Sequence, residues 1–85
     1  MQMKIFSIHD KKAGSFQTPW YKHSHGEAER DFQTAVNDEK SFLNKYPQDF
    51  DLYYLGQIDL NSGKFETLPS PQHVVSAFEL IPLKQ

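Results

Sequence analysis

The stretch from Lys45 to Phe65, Lys-Tyr-Pro-Gln-Asp-Phe-Asp-Leu-Tyr-Tyr-Leu-Gly-Gln-Ile-Asp-Leu-Asn-Ser-Gly-Lys-Phe, constrains the fold more than any other part of the chain. Pro47 fixes its own φ and steers Tyr46 away from helix, and the short carboxylates of Asp49 and Asp51 suit a chain that is turning. The pattern from Leu52 to Leu60 predicts a strand. Strict alternation puts Leu52, Tyr54, Ile58 and Leu60 on one face, the expected core face, and Tyr53, Leu55, Gln57 and Asp59 on the other. Gly56 falls on the core face, where a residue without a side chain marks a bulge or the close approach of another backbone. Asp59-Leu-Asn-Ser-Gly-Lys64 then reverses the chain, with Gly63 supplying the positive φ that closes a short hairpin loop. Asp59-x-Asn61-x-Gly63 also resembles the start of a calcium loop. That reading fails on spacing: the glycine comes one place early, Ser70 stands where a bidentate Glu is needed, and the flanks read as strands rather than helices.

The rest of the chain organises around this hairpin. Met3 to His9 sets Met3, Ile5 and Ser7 against Lys4, Phe6 and Ile8, a strand whose two faces are almost equally apolar. Such a strand is central in its sheet or is covered by a partner. Ser24-x-x-Glu27 is a capping box in which Ser24 accepts from the third amide and Glu27 reaches back. The helix it opens runs to about Asn37, with Ala28, Phe32, Ala35 and Val36 as its apolar stripe. A further turn over Ser41–Asn44 would anchor Phe42 and Leu43. Pro69-Ser-Pro71 is expected to end ladder pairing after Leu68. His73–Ile81 has both helical and alternating spacing, which leaves a short helix and an edge strand open and makes 69–85 the weakly defined segment. The expected fold is α+β in a single domain, residues 1–85. A small antiparallel sheet of Met3–His9, Leu52–Leu60 and Lys64–Leu68, the N-terminal strand plus the central hairpin, is covered by one amphipathic helix.

Composition removes several function classes. The 85 residues include no Cys, so no disulfide framework, thiolate metal site or Cys nucleophile is available. No apolar run approaches the ~20 residues of a membrane span, and no signal-peptide core precedes the first strand, so the protein is expected to stay in the cytoplasm where it is made, with no membrane partner. No Gly-rich phosphate loop, nucleophile elbow or framed carboxylate pair is present, so no catalytic residues and no cofactor are assigned and the chain is not expected to be an enzyme. His23-x-His25, with His9, offers three imidazoles, but neither a Cys ligand nor a His pair at helical spacing accompanies them, and no metal is assigned. The small core, the two-faced first strand and the many aromatics suggest a homo-oligomer paired through Met3–Ile8.

One constellation carries a mechanism. Net charge is -2 overall, yet residues 1–25 hold four lysines against one aspartate while the remainder holds ten acidic residues against five basic ones. Within that basic arm, residues 10–25 have no helical period and read as an extended segment or long exposed loop. Phe16, Trp20 and Tyr21 offer flat rings on which unpaired bases stack, and Lys11, Lys12 and Lys22 offer phosphate contacts, the combination by which single strands are held. The alternative is structural: Phe16 and Trp20 fold back onto the sheet and the lysines only solubilise it. Tyr53 and Leu55 either extend a stacking platform or pack beneath the helix, the latter being the default for an apolar sheet face.

Met3-Lys-Ile-Phe-Ser-Ile-His-Asp, Glu27-Ala-Glu-Arg-Asp-Phe with Ala35-Val-Asn-Asp, and Tyr46-Pro-Gln-Asp-Phe-Asp-Leu-Tyr-Tyr-Leu-Gly-Gln-Ile-Asp-Leu-Asn-Ser-Gly-Lys together resemble the small nonstructural protein of gokushoviruses, tailless microviruses with circular single-stranded DNA genomes. The resemblance covers nearly the whole chain in one order, is most specific from Pro47 to Gly63 and is weakest from Pro69 onward. It implies a nonstructural, DNA-binding phage protein in the cytoplasm of the infected bacterial host, acting in genome replication, single-strand synthesis or packaging. It supplies no contact residues. A different class of function stays open, an acidic adaptor that docks on a viral replication or capsid protein without touching DNA.

Overall fold

The computed structural model describes residues 1–81, which form an antiparallel sheet, one full helix and a second short helix, an α+β arrangement. The strands are β1 (Gln2–Asp10), β2 (Ser15–Phe16), β3 (Trp20–Lys22), β4 (Phe50–Asp59) and β5 (Phe65–Ser76); the helices are α1 (His25–Val36) and α2 (Phe42–Lys45). β1 is central: β4 pairs with it along one side, β2 and β3 share its other side, and β5 lies outside β4. The nearly equal apolarity of its two faces follows from that position.

The hairpin closes as its turn residues require. Gly63, at φ 76, donates its amide to the Asp59 carbonyl at 2.7 Å, and Asp59 donates to the Lys64 carbonyl at 2.9 Å. Gly56 marks a bulge and a close backbone approach together. Against β1, Tyr54 pairs with Phe6 and Gly56 with Ile5, so Leu55 has no partner. A Cβ at Gly56 would stand 2.3 Å from the Glu66 carbonyl oxygen. The extra residue corrects the strict alternation expected of this strand. Beyond it Gln57 falls in the row of Lys4, and Ile58 falls in the row of Met3 on the face shared by Ile5 and Tyr53.

Three further expectations are corrected. Pro69 and Pro71 do not end the pairing: residues 68–71 pass opposite Leu55 alone, and the ladder resumes at Gln72 against Tyr54 and runs to Ser76 against Asp51. Two prolines without N–H groups are accommodated because that excursion makes no ladder bonds. His73–Ser76 is therefore strand, and the chain then makes a 3-10 turn over Ala77–Leu80. Residues 10–25 are extended but are not a free loop, since β2 and β3 fold them back onto β1. In α2 only Leu43 is buried, while Phe42 stays exposed.

Helix α1 begins where the capping box places it. Ser24 Oγ accepts from the Glu27 amide at 3.2 Å, and Glu27 Oε1 accepts from His23 N, one residue earlier than the usual box partner, at 3.0 Å. Ala28, Phe32 and Val36 are buried in one cluster with Phe6, Leu52 and Phe50 of the sheet, to which Leu43 and Ala77 also belong. All these sheet residues lie on the even-numbered side of β1 and its partners. The helices and the core therefore occupy one face of the sheet.

Candidate nucleic-acid interface

The other face is built from the alternate residues of the same strands. Ser7 of β1 pairs with Tyr53 of β4, which pairs with His73 of β5; one row along, Phe16 of β2, His9 of β1 and Asp51 of β4 lie side by side. Register thus gathers four rings from four strands. The centroids of His9 and Phe16 are 4.7 Å apart, those of Phe16 and Tyr53 5.3 Å, and those of Tyr53 and His73 5.4 Å. The Phe16–Tyr53 and Tyr53–His73 contacts are edge-on, at 75° and 88°, a favourable meeting of quadrupoles, and within the cluster Phe16 and His73 are exposed while His9 and Tyr53 are half-buried. Phe16 and Tyr21 remain exposed here, and Ile5, between Tyr21 and Gly56, is buried without belonging to the core cluster beneath the helix. Under the rings Ser7 is fully buried, its hydroxyl donating to the Gln17 carbonyl at 2.6 Å, which ties the segment between β2 and β3 to the sheet.

Charge on this face is set by Asp51. Its carboxylate is buried; Oδ2 lies 3.3 Å from Lys11 Nζ and Oδ1 3.7 Å from His73 Nε2. Oδ1 makes no hydrogen bond among the described residues. A buried carboxylate is tolerated only with compensating charge nearby, so Lys11 is held at the platform's edge by Asp51, with half its side chain in solvent. Lys12 is exposed in the tight turn after β1, where its amide and that of Ala13 are received by the Asp10 carboxylate at 2.9 and 3.2 Å.

The six residues singled out in sequence therefore separate. Phe16, Tyr21 and Lys11 lie on or beside the open face, whereas Lys12 lines a groove at the Asp10 end of the sheet with Asp10, Phe42 and Tyr46. Trp20 pairs with Phe6 on the core side, is half-buried with its ring 6.2 Å from Phe6, and has an Nε1 with no hydrogen-bond partner among the described residues. Lys22 also faces that side and is bonded to Asp31 of α1 at 3.0 Å. Tyr53, His9 and His73 complete the open face. Tyr53 does not take its default place beneath the helix, and the signal for this was the parity of its strand: Leu52 and Tyr54 are core, so Tyr53 points away. His73 could not be placed without knowing that pairing resumes after Pro71.

Among the described residues no group of three His, Asp or Glu is arranged to hold a metal, and no helix is long and apolar enough to cross a membrane. These elements define a small antiparallel-sheet protein with helices on one face and clustered rings on the other. Residues 3–80 match the family described as Phage ORF5 protein. The chain is also 39% identical over 70 residues to Protein ORF5 of Chlamydia phage 1, an alignment covering 76% of this chain and 72% of that protein. The chain belongs to the Phage ORF5 protein family. No solved structure matches it.

Proposed function

We propose that this phage protein binds single-stranded DNA across the open face of its sheet, in the cytoplasm of the infected bacterial host, and serves genome replication, single-strand synthesis or packaging without catalysing a reaction. The observation that carries this reading is the cluster of His9, Phe16, Tyr53 and His73, four rings from four strands on a face that bears no helix among the described residues. Aromatic side chains on an uncovered sheet are a recurrent way of stacking unpaired bases, indifferent to sequence because every base has a π-face. Lys11 stands at the edge where the phosphates of a stacked strand would run, and Lys12 follows it, exposed, in the turn after β1. Duplex DNA hides its base faces and gains nothing from such a platform. Trp20 and Lys22 take secondary roles in this proposal, Trp20 bracing β3 against Phe6 and Lys22 tying it to α1.

The test is fluorescence anisotropy with a labelled oligothymidine of ~20 nucleotides, longer than the ~4–16 nucleotides held by single-strand modules. Binding should exceed that to a duplex of equal length. With two or three phosphate contacts it should weaken roughly tenfold between about 50 and 200 mM salt. Phe16→Ala and Tyr53→Leu, which remove rings but keep the sheet, should each weaken it by about 5- to 100-fold. No salt-sensitive binding to any single strand would overturn the proposal in favour of an adaptor that docks on a viral replication or capsid protein.

A further inference from the structure

The buried carboxylate beneath the ring platform is incompletely satisfied. Asp51 is 4% exposed and lies in the ladder between His9 of β1 and Ser76 of β5. Its Oδ2 has the Lys11 ammonium at 3.3 Å, but Oδ1, which is buried, receives no hydrogen bond among the described residues. Such an oxygen is uncommon in a folded protein, because it has given up the donors it had in water. His73 Nε2 faces it at 3.7 Å, near enough for attraction between charges and too far for a hydrogen bond. The same nitrogen is 3.3 Å from Ser76 Oγ, while Nδ1 makes no hydrogen bond among the described residues and 44% of the side chain is in solvent.

Charge counting shows what the arrangement lacks. With a neutral His73, Asp51 and Lys11 cancel, and the three groups offer a phosphate no net charge. With a protonated His73, Oδ1 faces a cation, the three groups carry one positive charge, and the imidazolium, a donor at both nitrogens, keeps a second N–H for another acceptor. Lys11 and His73 lie against the two oxygens of one carboxylate, so one phosphate group can meet both. We propose that His73 and Lys11, joined through Asp51, form a phosphate site at the rim of the platform, and that His73 takes up one proton from solvent as a single strand binds. This rests on the reading of the open face as a single-strand surface. The groups around His73 are Asp51 and Tyr53 from β4, His9 across Tyr53 from β1, Lys11 from the turn after β1, and Glu79 from the 3-10 turn, which accepts from the Ser76 amide. Among the described residues only Asp51 pairs with His73, and His9, although beside Asp51 in the ladder, makes no ion pair. Lys11 repels the added proton, and a phosphate between the two cations turns that repulsion into shared attraction, so strand and proton favour each other's binding. The strand-bound form then holds one more proton than the free form. Affinity therefore rises as pH falls through the range of about 5–8 in which imidazoles change charge.

The test is the pH profile of binding to labelled oligothymidine, whose bases do not change charge in that range. Binding should be about 5- to 20-fold tighter at pH ~5.5 than at pH ~8, one proton allowing at most about tenfold per pH unit. His73→Gln puts an uncharged amide in place of the ring, and should weaken binding at every pH while cutting the gain on acidification to under about threefold. His9→Gln should also weaken binding but keep the gain, since its imidazole is not paired with Asp51. The unaltered protein supplies an independent reading by NMR: saturation with strand should raise the pH midpoint of the His73 ring signals by about one unit, equivalent to about tenfold in affinity, and that of His9 by less than about half as much. Salt-sensitive binding that is equally tight at the two pH values, a gain that survives His73→Gln, or a His73 midpoint that the strand leaves in place overturns the phosphate site and leaves single-strand binding standing. Absence of binding at both pH values overturns the two together.

Discussion

Gly56 decides which side chains share a face. Its φ of 142 lies where residues with a Cβ are strained, and a Cβ there would meet the Glu66 carbonyl oxygen at 2.3 Å and the Thr67 Cα at 2.7 Å. Both obstacles are backbone, so neither can rotate away. Gly56→Ala should cost ~3 kcal/mol or more and lower the melting temperature by roughly 15 °C, read by circular dichroism. A melt within a few degrees of the unaltered protein would mean that the bulge relaxes freely. The position was legible in the sequence as a glycine inside an alternating strand, and both of its anticipated meanings hold. The consequence was not legible: one unpaired residue reverses the parity of everything after it, so Ile58 leaves the predicted core face for the row of Met3.

Among the elements, local signals located α1 and the hairpin well. Ser24 and Glu27 mark the helix start, and the i, i+4, i+8 spacing of Ala28, Phe32 and Val36 marks its buried side. Phe32→Ala removes the largest side chain that α1 contributes to the core, which should cost ~3–5 kcal/mol, measured by denaturant unfolding. A loss below ~1 kcal/mol would show that the helix contributes little to holding the sheet. What local signals could not give was pairing between distant segments. Ser15–Phe16 and Trp20–Lys22 are too short to show alternation, and they are strands only because β1 offers them an edge. For the same reason the basic aromatic segment looked like one exposed unit, whereas pairing turns Phe16 and Tyr21 to the open face and Trp20 to the core side. β5 recovers its register after Pro71 through β4, a contact that proline content alone argues against.

At the scale of the whole molecule, the sheet divides two tasks between its faces. Phe6 and Leu52 build the core with α1, while alternate residues of the same strands, His9 and Tyr53, set their rings on the opposite face. The proposed binding by an acidic chain rests on a cation set beside the rings, Lys11, held in place by the buried Asp51. The central claim is spatial, and it is tested most directly by following side-chain NMR resonances while oligothymidine is added. The account predicts that the ring signals of His9, Phe16, Tyr53 and His73 shift together and saturate together, while those of Phe32 and of Phe42 and Tyr46 in the groove stay in place. Shifts centred on the helices or the groove, with the four rings unmoved, would contradict it.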